Sequence, residues 1–256
     1  MKPQNLYTEI STFDEAGITI RGKDLVRELI GEINFTQMIY FHILGRMPTP
    51  GQMRVLDAVL VTLVDHGVLA TVGARMVYMS SPEAIQAAIA TGIMGLGSQF
   101  GGVMEITGQH LETIMAAPDG AQAAADIVAS YRTIKKPVPG FGHPHHRPED
   151  PRTPKLLAVA EKEGVAGAHV KALHTLAAAV DAAMGKHITI NATAAMAALL
   201  GDIGVPGSIM RGFAAISRTP GIVGHLLEEQ QHPAAYSIGM QAQEMVPYTG
   251  TIPDKK

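Results

Sequence analysis

The chain has no cysteine and no tryptophan, and aromatic residues make up only 5% of its 256 positions. Without cysteine there are no disulfides, thiolate metal centres or cysteine nucleophiles. That fits a reducing compartment, so a cytoplasmic protein is expected. Charge is scarce too: charged residues are 17% and the net charge is −3, so no basic field marks a nucleic-acid or anionic-membrane partner. The best candidates for a membrane-length apolar run are broken by Asp65, Arg75 and Asp181. Met1-Lys2-Pro3-Gln4-Asn5 has no apolar stretch of the secretory kind. Alternating β-branched and aromatic runs, which would build a sheet, are nearly missing.

What remains is 46% hydrophobic, rich in alanine, with 14 methionines. Small residues permit close helix–helix approach and methionine fills irregular gaps, so packed helices are expected. Gly17–Arg21 alternates as a short strand or hairpin arm, and Lys23–Ile30 reads as a short helix. Asn34 is placed as the N-cap of a helix ending at Gly45, and Thr49-Pro50 as the start of the next. Val55, Leu56, Val59, Leu60 and Leu63 recur at helical spacing there. Ser80-Ser81-Pro82-Glu83 is expected to cap a helix through Ile93. Further helices are expected at 103–116, 121–134, 153–163, 166–184, 192–200, 207–230 and 233–245.

Four polar clusters interrupt these patterns. The most shaped is Pro137-Val138-Pro139-Gly140-Phe141-Gly142-His143, followed nine positions later by Arg152. Proline fixes φ and glycine opens conformations other residues avoid, so this loop suits close backbone approach to a ligand beside a proton carrier. His143, His145 and His146 are separated by proline and joined only by scattered acids, so no metal site is expected. Arg152, at a helix start, suits a carboxylate, or a surface ion pair. Asp65-His66-Gly67 sits at a helix break, where its histidine either meets a ligand or is satisfied by backbone. The glycine turn around Phe100 offers helix N–H groups, or is a plain helix–helix connection. Arg218 lies in an apolar helical context, where burial would demand an anionic partner.

Taken together and in order, these segments resemble the citrate synthase family across nearly the whole chain. Ile20-Arg21-Gly22, Phe35 and Leu44-Gly45-Arg46-Met47-Pro48-Thr49 resemble its opening. Asp65-His66-Gly67, Pro139-Gly140-Phe141-Gly142-His143, Asp150-Pro151-Arg152 and Arg218 resemble its site segments. The resemblance implies an all-α fold, with a large helical domain over 1–101 and 205–256. A smaller domain over 102–204 would close over coenzyme A, in a homodimer or higher homo-oligomer. It also implies that Pro139, Gly140, Phe141 and Gly142 approach coenzyme A and that His143 handles the substrate's hydroxyl or carbonyl proton. His66, Arg152 and Arg218 would hold carboxylates and the carbonyl. Coenzyme A would arrive as part of the substrate, with no tightly bound cofactor.

The departures sharpen the expectation. Phe100 stands where the synthases place a histidine, and Phe100-Gly101-Gly102 with Asp-His-Gly is closer to citryl-CoA lyases. In Ile190-Asn191-Ala192-Thr193, Thr193 stands where those enzymes carry the carboxylate that exchanges a proton with the acetyl carbon. A hydroxyl is too weak an acid to replace it directly, leaving water, Asn191, Thr193 through a relay, or Glu105. The reaction implied is cleavage of a 3-hydroxy-3-carboxyacyl-CoA thioester to an acyl-CoA and an oxo-acid such as oxaloacetate. A condensing acyltransferase on another oxo-acid and an idle CoA- or dicarboxylate-binding subunit stand as the alternatives.

Overall fold

The computed structural model describes residues 6–98 and 101–253. Phe100, expected to contact substrate, lies outside them. Helices dominate, as expected. The described chain divides into two compact units, one of residues 1–61 and 103–210, the other of 62–102 and 211–256. Residues 1–61 thus group with the segment expected to form the small domain.

The first unit opens with a three-stranded antiparallel sheet, β1 (Ser11–Asp14), β2 (Gly17–Ile20) and β3 (Lys23–Asp24), in sequential order. β2 is the strand read from the alternation. Lys23–Ile30 departs from the expected helix. Asp24 ends β3 and accepts from the N–H groups of Val26 and Arg27, winding Leu25–Leu29 into a single wide turn. Helix α1 (Phe35–Leu44) starts and stops where the sequence indicated. Asn34 and Gln37 bond each other's backbone N–H, and Gly45 takes the left-handed conformation. Thr49 and Gln52 repeat the reciprocal cap at the start of α2 (Pro50–Leu63).

Helices α5 (Gly102–Ala116), α6 (Gly120–Thr133), α7 (Arg152–Lys162), α8 (Ala168–Met184) and α9 (Ala192–Asp202) complete this unit. In α9, Ala192 and every residue from Ala194 to Gly201 are buried. Its alanines let α7 and α8 pack closely against it, and Leu173, Leu176, Val128 and Phe141 share its core. The buried Tyr40 of α1 donates from its hydroxyl to the carbonyl of Ile203 just beyond α9, at 2.7 Å.

The second unit holds α3 (Val72–Ser80), α4 (Ile85–Met94), α10 (Met210–Gln231) and α11 (Ala235–Met245). The expected serine cap of α4 is not made. Residues 81–84 form a turn of their own, with the Ala84 N–H bonded to the Ser81 carbonyl, and α4 begins after Ala84 without a side-chain cap. Ala74, Ala88, Ile222 and Leu226 form the core here. Gly92 is required by it, since a Cβ would lie 2.8 Å from Ile222. Among the described residues no helix is long and apolar enough to cross a membrane.

Candidate active site

In the first unit the proline–glycine loop is fastened to the segment before α9. Phe141 pairs with Ile190 across an antiparallel bridge. The Gly142 N–H donates to the Thr189 carbonyl at 2.7 Å, and the Asn191 N–H to the Gly140 carbonyl at 3.0 Å. Gly140 has φ +90°, and a Cβ there would meet the Ala194 Cβ at 2.7 Å and the Thr107 hydroxyl at 3.0 Å. Only glycine serves at such a conformation and contact. The side chains add to this seam: Asn191 caps α9 through the Ala194 N–H and donates from Nδ2 to the Gly142 carbonyl at 3.1 Å.

This seam presents His143. Its Nδ1 accepts from the backbone N–H groups of His145 at 3.1 Å and His146 at 2.9 Å, and its ring stacks on that of His146. Backbone N–H groups only donate, so the proton of the neutral imidazole lies on Nε2. Thr193 sits half-buried in the first turn of α9.

Asp150 entered the sequence reading only as part of the Asp150-Pro151-Arg152 segment, with no role of its own. It is wholly buried and takes the Arg152 guanidinium side-on, Nε at 2.9 Å and Nη2 at 2.8 Å. It also accepts from the N–H of Ala192, the first residue of α9, at 2.9 Å. Burial raises the Asp150 pKa, but the Arg152 guanidinium and the two N–H donors outweigh it and bring the value down to about 2. Arg152 keeps its Nη1–Nη2 edge for another anion. A carboxylate two positions before an arginine was visible in Asp150-Pro151-Arg152. Its reach to α9 was not.

The proline–glycine loop also lines an apolar cleft of about 410 Å³, floored by Val138, Phe141, Val180, Met184 and Ile188. Exposed Arg132, Lys135 and Lys136 rim it. Lys135 has φ +53°, a left-handed backbone that non-glycine residues rarely adopt. An apolar floor under a cationic rim suits a flat aromatic ring carrying phosphates.

In the second unit, Asp65-His66-Gly67 forms a tight turn. Asp65 Oδ1 accepts from the Gly67 N–H at 2.6 Å, and Gly67 has φ +81°, which explains glycine at this position. His66 lies exposed between them. Burial raises the Asp65 pKa, while the Gly67 N–H, His225 and Arg218 lower it further, for a net depression. Arg218 is half-buried, and its Nη1 is buried with no hydrogen-bond partner. Burial depresses its pKa, offset in part by Asp65. A buried guanidinium nitrogen without an acceptor is costly and suits an anionic ligand.

The residues picked from sequence therefore fall in both units, with His143, Arg152, Asn191 and Thr193 in the first and His66 and Arg218 in the second. His225 and the cationic rim were missed, as were the parts played by Asp150 and Arg75. The available signal was arginine and paired acids inside apolar helical patterns. Among the described residues no three His, Asp or Glu side chains group as metal ligands.

Residues 32–238 match the family model described as citrate synthase, C-terminal domain, and the chain belongs to the citrate synthase family. It is similar to the citryl-CoA lyase from Hydrogenobacter thermophilus at 30% identity and a TM-score of 0.87, covering 99% of this chain and 98% of that one. An ATP citrate lyase from Methanothrix soehngenii, solved with citrate and coenzyme A, shares the fold at a TM-score of 0.76 and 17% identity, over 100% of this chain and 43% of that one. Citrate synthase from Haloferax volcanii is 26% identical over 214 residues, 82% of this chain and 55% of its own. A putative citrate synthase 2 from Mycobacterium tuberculosis is 27% identical over 201 residues, 75% of this chain and 53% of its own. The chain spans about half the length of the curated relatives it matches.

Proposed function

We propose that this protein cleaves a 3-hydroxy-3-carboxyacyl-CoA thioester of the citryl-CoA type to an acyl-CoA and an oxo-acid such as oxaloacetate. The observation that carries this reading is the end-to-end likeness to a citryl-CoA lyase, with 98% of that chain covered. Thr193 at the carboxylate position leaves the proton exchange at the acetyl carbon without its usual carrier in either direction.

Cleavage passes the proton of the tertiary hydroxyl to water, breaks the adjacent carbon–carbon bond, and leaves the thioester enolate to take a proton back on carbon. His143 is proposed to face the oxygen through Nε2, because Nδ1 is committed to two backbone donors. In that tautomer its Nε2–H donates to the oxygen as the hydroxyl becomes a carbonyl, and it makes the same hydrogen bond in the reverse direction. Arg152 through its remaining edge is assigned a substrate carboxylate, and within the second unit Arg218, through its buried Nη1, and His66 are groups suited to an anion or a carbonyl. The thioester enolate would take its proton from water or through Asn191 and Thr193. Coenzyme A is part of the substrate and no resident cofactor is assigned. Its nucleotide end suits the cleft at Phe141 and its phosphates the rim of Arg132, Lys135 and Lys136. A cytoplasmic setting goes with such a substrate. A homodimer is proposed with it, and exposed Phe13 and Phe35 are apolar surface that a second copy could cover.

Synthetic citryl-CoA tests the reading. Oxaloacetate is expected with the wild-type protein, and His143→Ala should lower the rate by about 10²–10⁴-fold. If citryl-CoA persists while acetyl-CoA and an oxo-acid release free CoA, the protein is a condensing transferase. CoA binding with neither turnover would make it an idle subunit. Thr193→Asp should raise the rate if enolate protonation is limiting.

A further inference from the structure

We propose that Arg75 and His225 form a positioning relay that sets the orientation of His66 through Asp65. The part His66 plays in turnover rests on the lyase reading, whereas the relay itself stands on geometry within the second unit.

The relay begins with a cation in an apolar helix. The Arg75 side chain on α3 is only 3% exposed, and its Nη1 donates to Glu229 at 2.6 Å. Its Nη2 donates to Glu228 and, at 2.9 Å, meets Nδ1 of His225. Glu229 is itself held by the Ala234 and Ala235 N–H groups, so the cation is braced from behind. A guanidinium has donors only, so His225 Nδ1 must accept and the imidazole proton must lie on Nε2. That nitrogen points at Asp65 Oδ2, 2.8 Å away. The other Asp65 oxygen closes the turn on Gly67. Each carboxylate oxygen thus has its own donor, and the turn carrying His66 cannot rotate without losing one.

The approach of α10 to this turn is also specified. A Cβ on Gly221 would lie 2.1 Å from the Val64 carbonyl oxygen, so only glycine lets the helix come near enough for His225 to reach Asp65. Beside the pair lies an open recess of about 260 Å³, lined by Asp65, Gly221, Gly224, His225 and Glu228, which admits a small ring from solvent. Nothing in the proposed chemistry uses His225 or Arg75 directly. Their part is to hold a turn, as a second layer of hydrogen bonds commonly does for reacting groups.

The test compares His225→Gln, which supplies an acceptor for Arg75 and a donor for Asp65, with His225→Leu, which supplies neither. Citryl-CoA kcat and KM are read alongside denaturant midpoints and ¹⁵N spectra of the His66 ring. In His225→Leu, kcat should fall by about 100-fold with KM little changed, as expected for a group displaced by about 1 Å. The His66 resonances should move, and His225→Gln should restore both. The relay is overturned if folded His225→Leu keeps its kcat, or if His225→Gln loses as much as His225→Leu. If His225→Leu does not fold, His225→Ala takes its place: recovery of kcat on adding imidazole supports the relay, and none overturns it. If the wild-type protein does not cleave citryl-CoA, the lyase reading fails. The relay is then decided by the His66 spectrum, where no movement in the variant overturns it.

Discussion

The two histidine-bearing turns are held by different means. His143 is presented by backbone: a bridge at Phe141, main-chain bonds at Gly140 and Gly142, and two N–H groups aimed at its own ring. His66 is presented by side chains, through Asp65, His225 and Arg75. In a backbone seam, conformation limits which residues are allowed, and damage comes from adding atoms. In a chain of side chains, each link is a separate residue, and damage comes from removing one. Added atoms harm both turns, as at Gly140 and Gly221, but only the His66 turn also depends on a series of side chains whose loss breaks it.

Arg75→Met should have the largest effect on stability. It leaves Glu229, 3% exposed, without its cation, and should cost about 3–5 kcal/mol in urea unfolding. An unchanged midpoint would place Arg75 outside the structural support of the second unit. Asp150→Asn follows, at about 2–3 kcal/mol near neutral pH. Here the sign is definite. A folded pKa of about 2 lies below the unfolded value, so Asp150 stabilises the native state above about pH 4, and that contribution is lost as pH falls toward 2. Midpoints measured across that window should converge for wild type and variant at the acid end.

Gly140→Ala comes next and tests the backbone seam directly. The added methyl would meet Ala194 at 2.7 Å on a backbone with φ +90°, at a cost of about 1–3 kcal/mol. Equal stability would mean that the loop has room to shift off α9. The smallest effect belongs to the rim of the cleft. Lys136→Gln should weaken CoA binding by only about threefold, more at low salt than at high, because an exposed cation is well screened. Calorimetric titration at two ionic strengths would show it.

Local chemistry made much of the fold legible. Asn34, Gly45 and Thr49 with Pro50 each carry their meaning within a few residues, and α1 begins and ends, and α2 begins, as they indicate. The loop at Gly140 was legible because glycine and proline constrain the backbone wherever the rest of the chain goes. Pairings across long separations were not. Arg75 meets Glu229 from 154 positions away and His225 meets Asp65 from 160, and no periodicity records such a partner. The sequence shows only that a guanidinium stands in an apolar helix and needs an anion somewhere. The wide turn after β3 was missed for a related reason, since Asp24 acts both as the end of a strand and as a cap.

One consequence of Asp150 reaches into ligand binding. A free arginine surrenders rotational freedom when it closes on an anion, roughly 0.5–1.5 kcal/mol for an immobilised side chain. Arg152 has already surrendered it, because Asp150 holds its side-on edge before any ligand arrives. An incoming carboxylate meets a guanidinium set in direction, its Nη1–Nη2 edge outward. The same carboxylate also meets the negative charge of Asp150 behind that edge, so part of the attraction is cancelled. Such an arginine favours geometry over strength: it should discriminate sharply by the angle at which a carboxylate approaches and bind none of them very tightly.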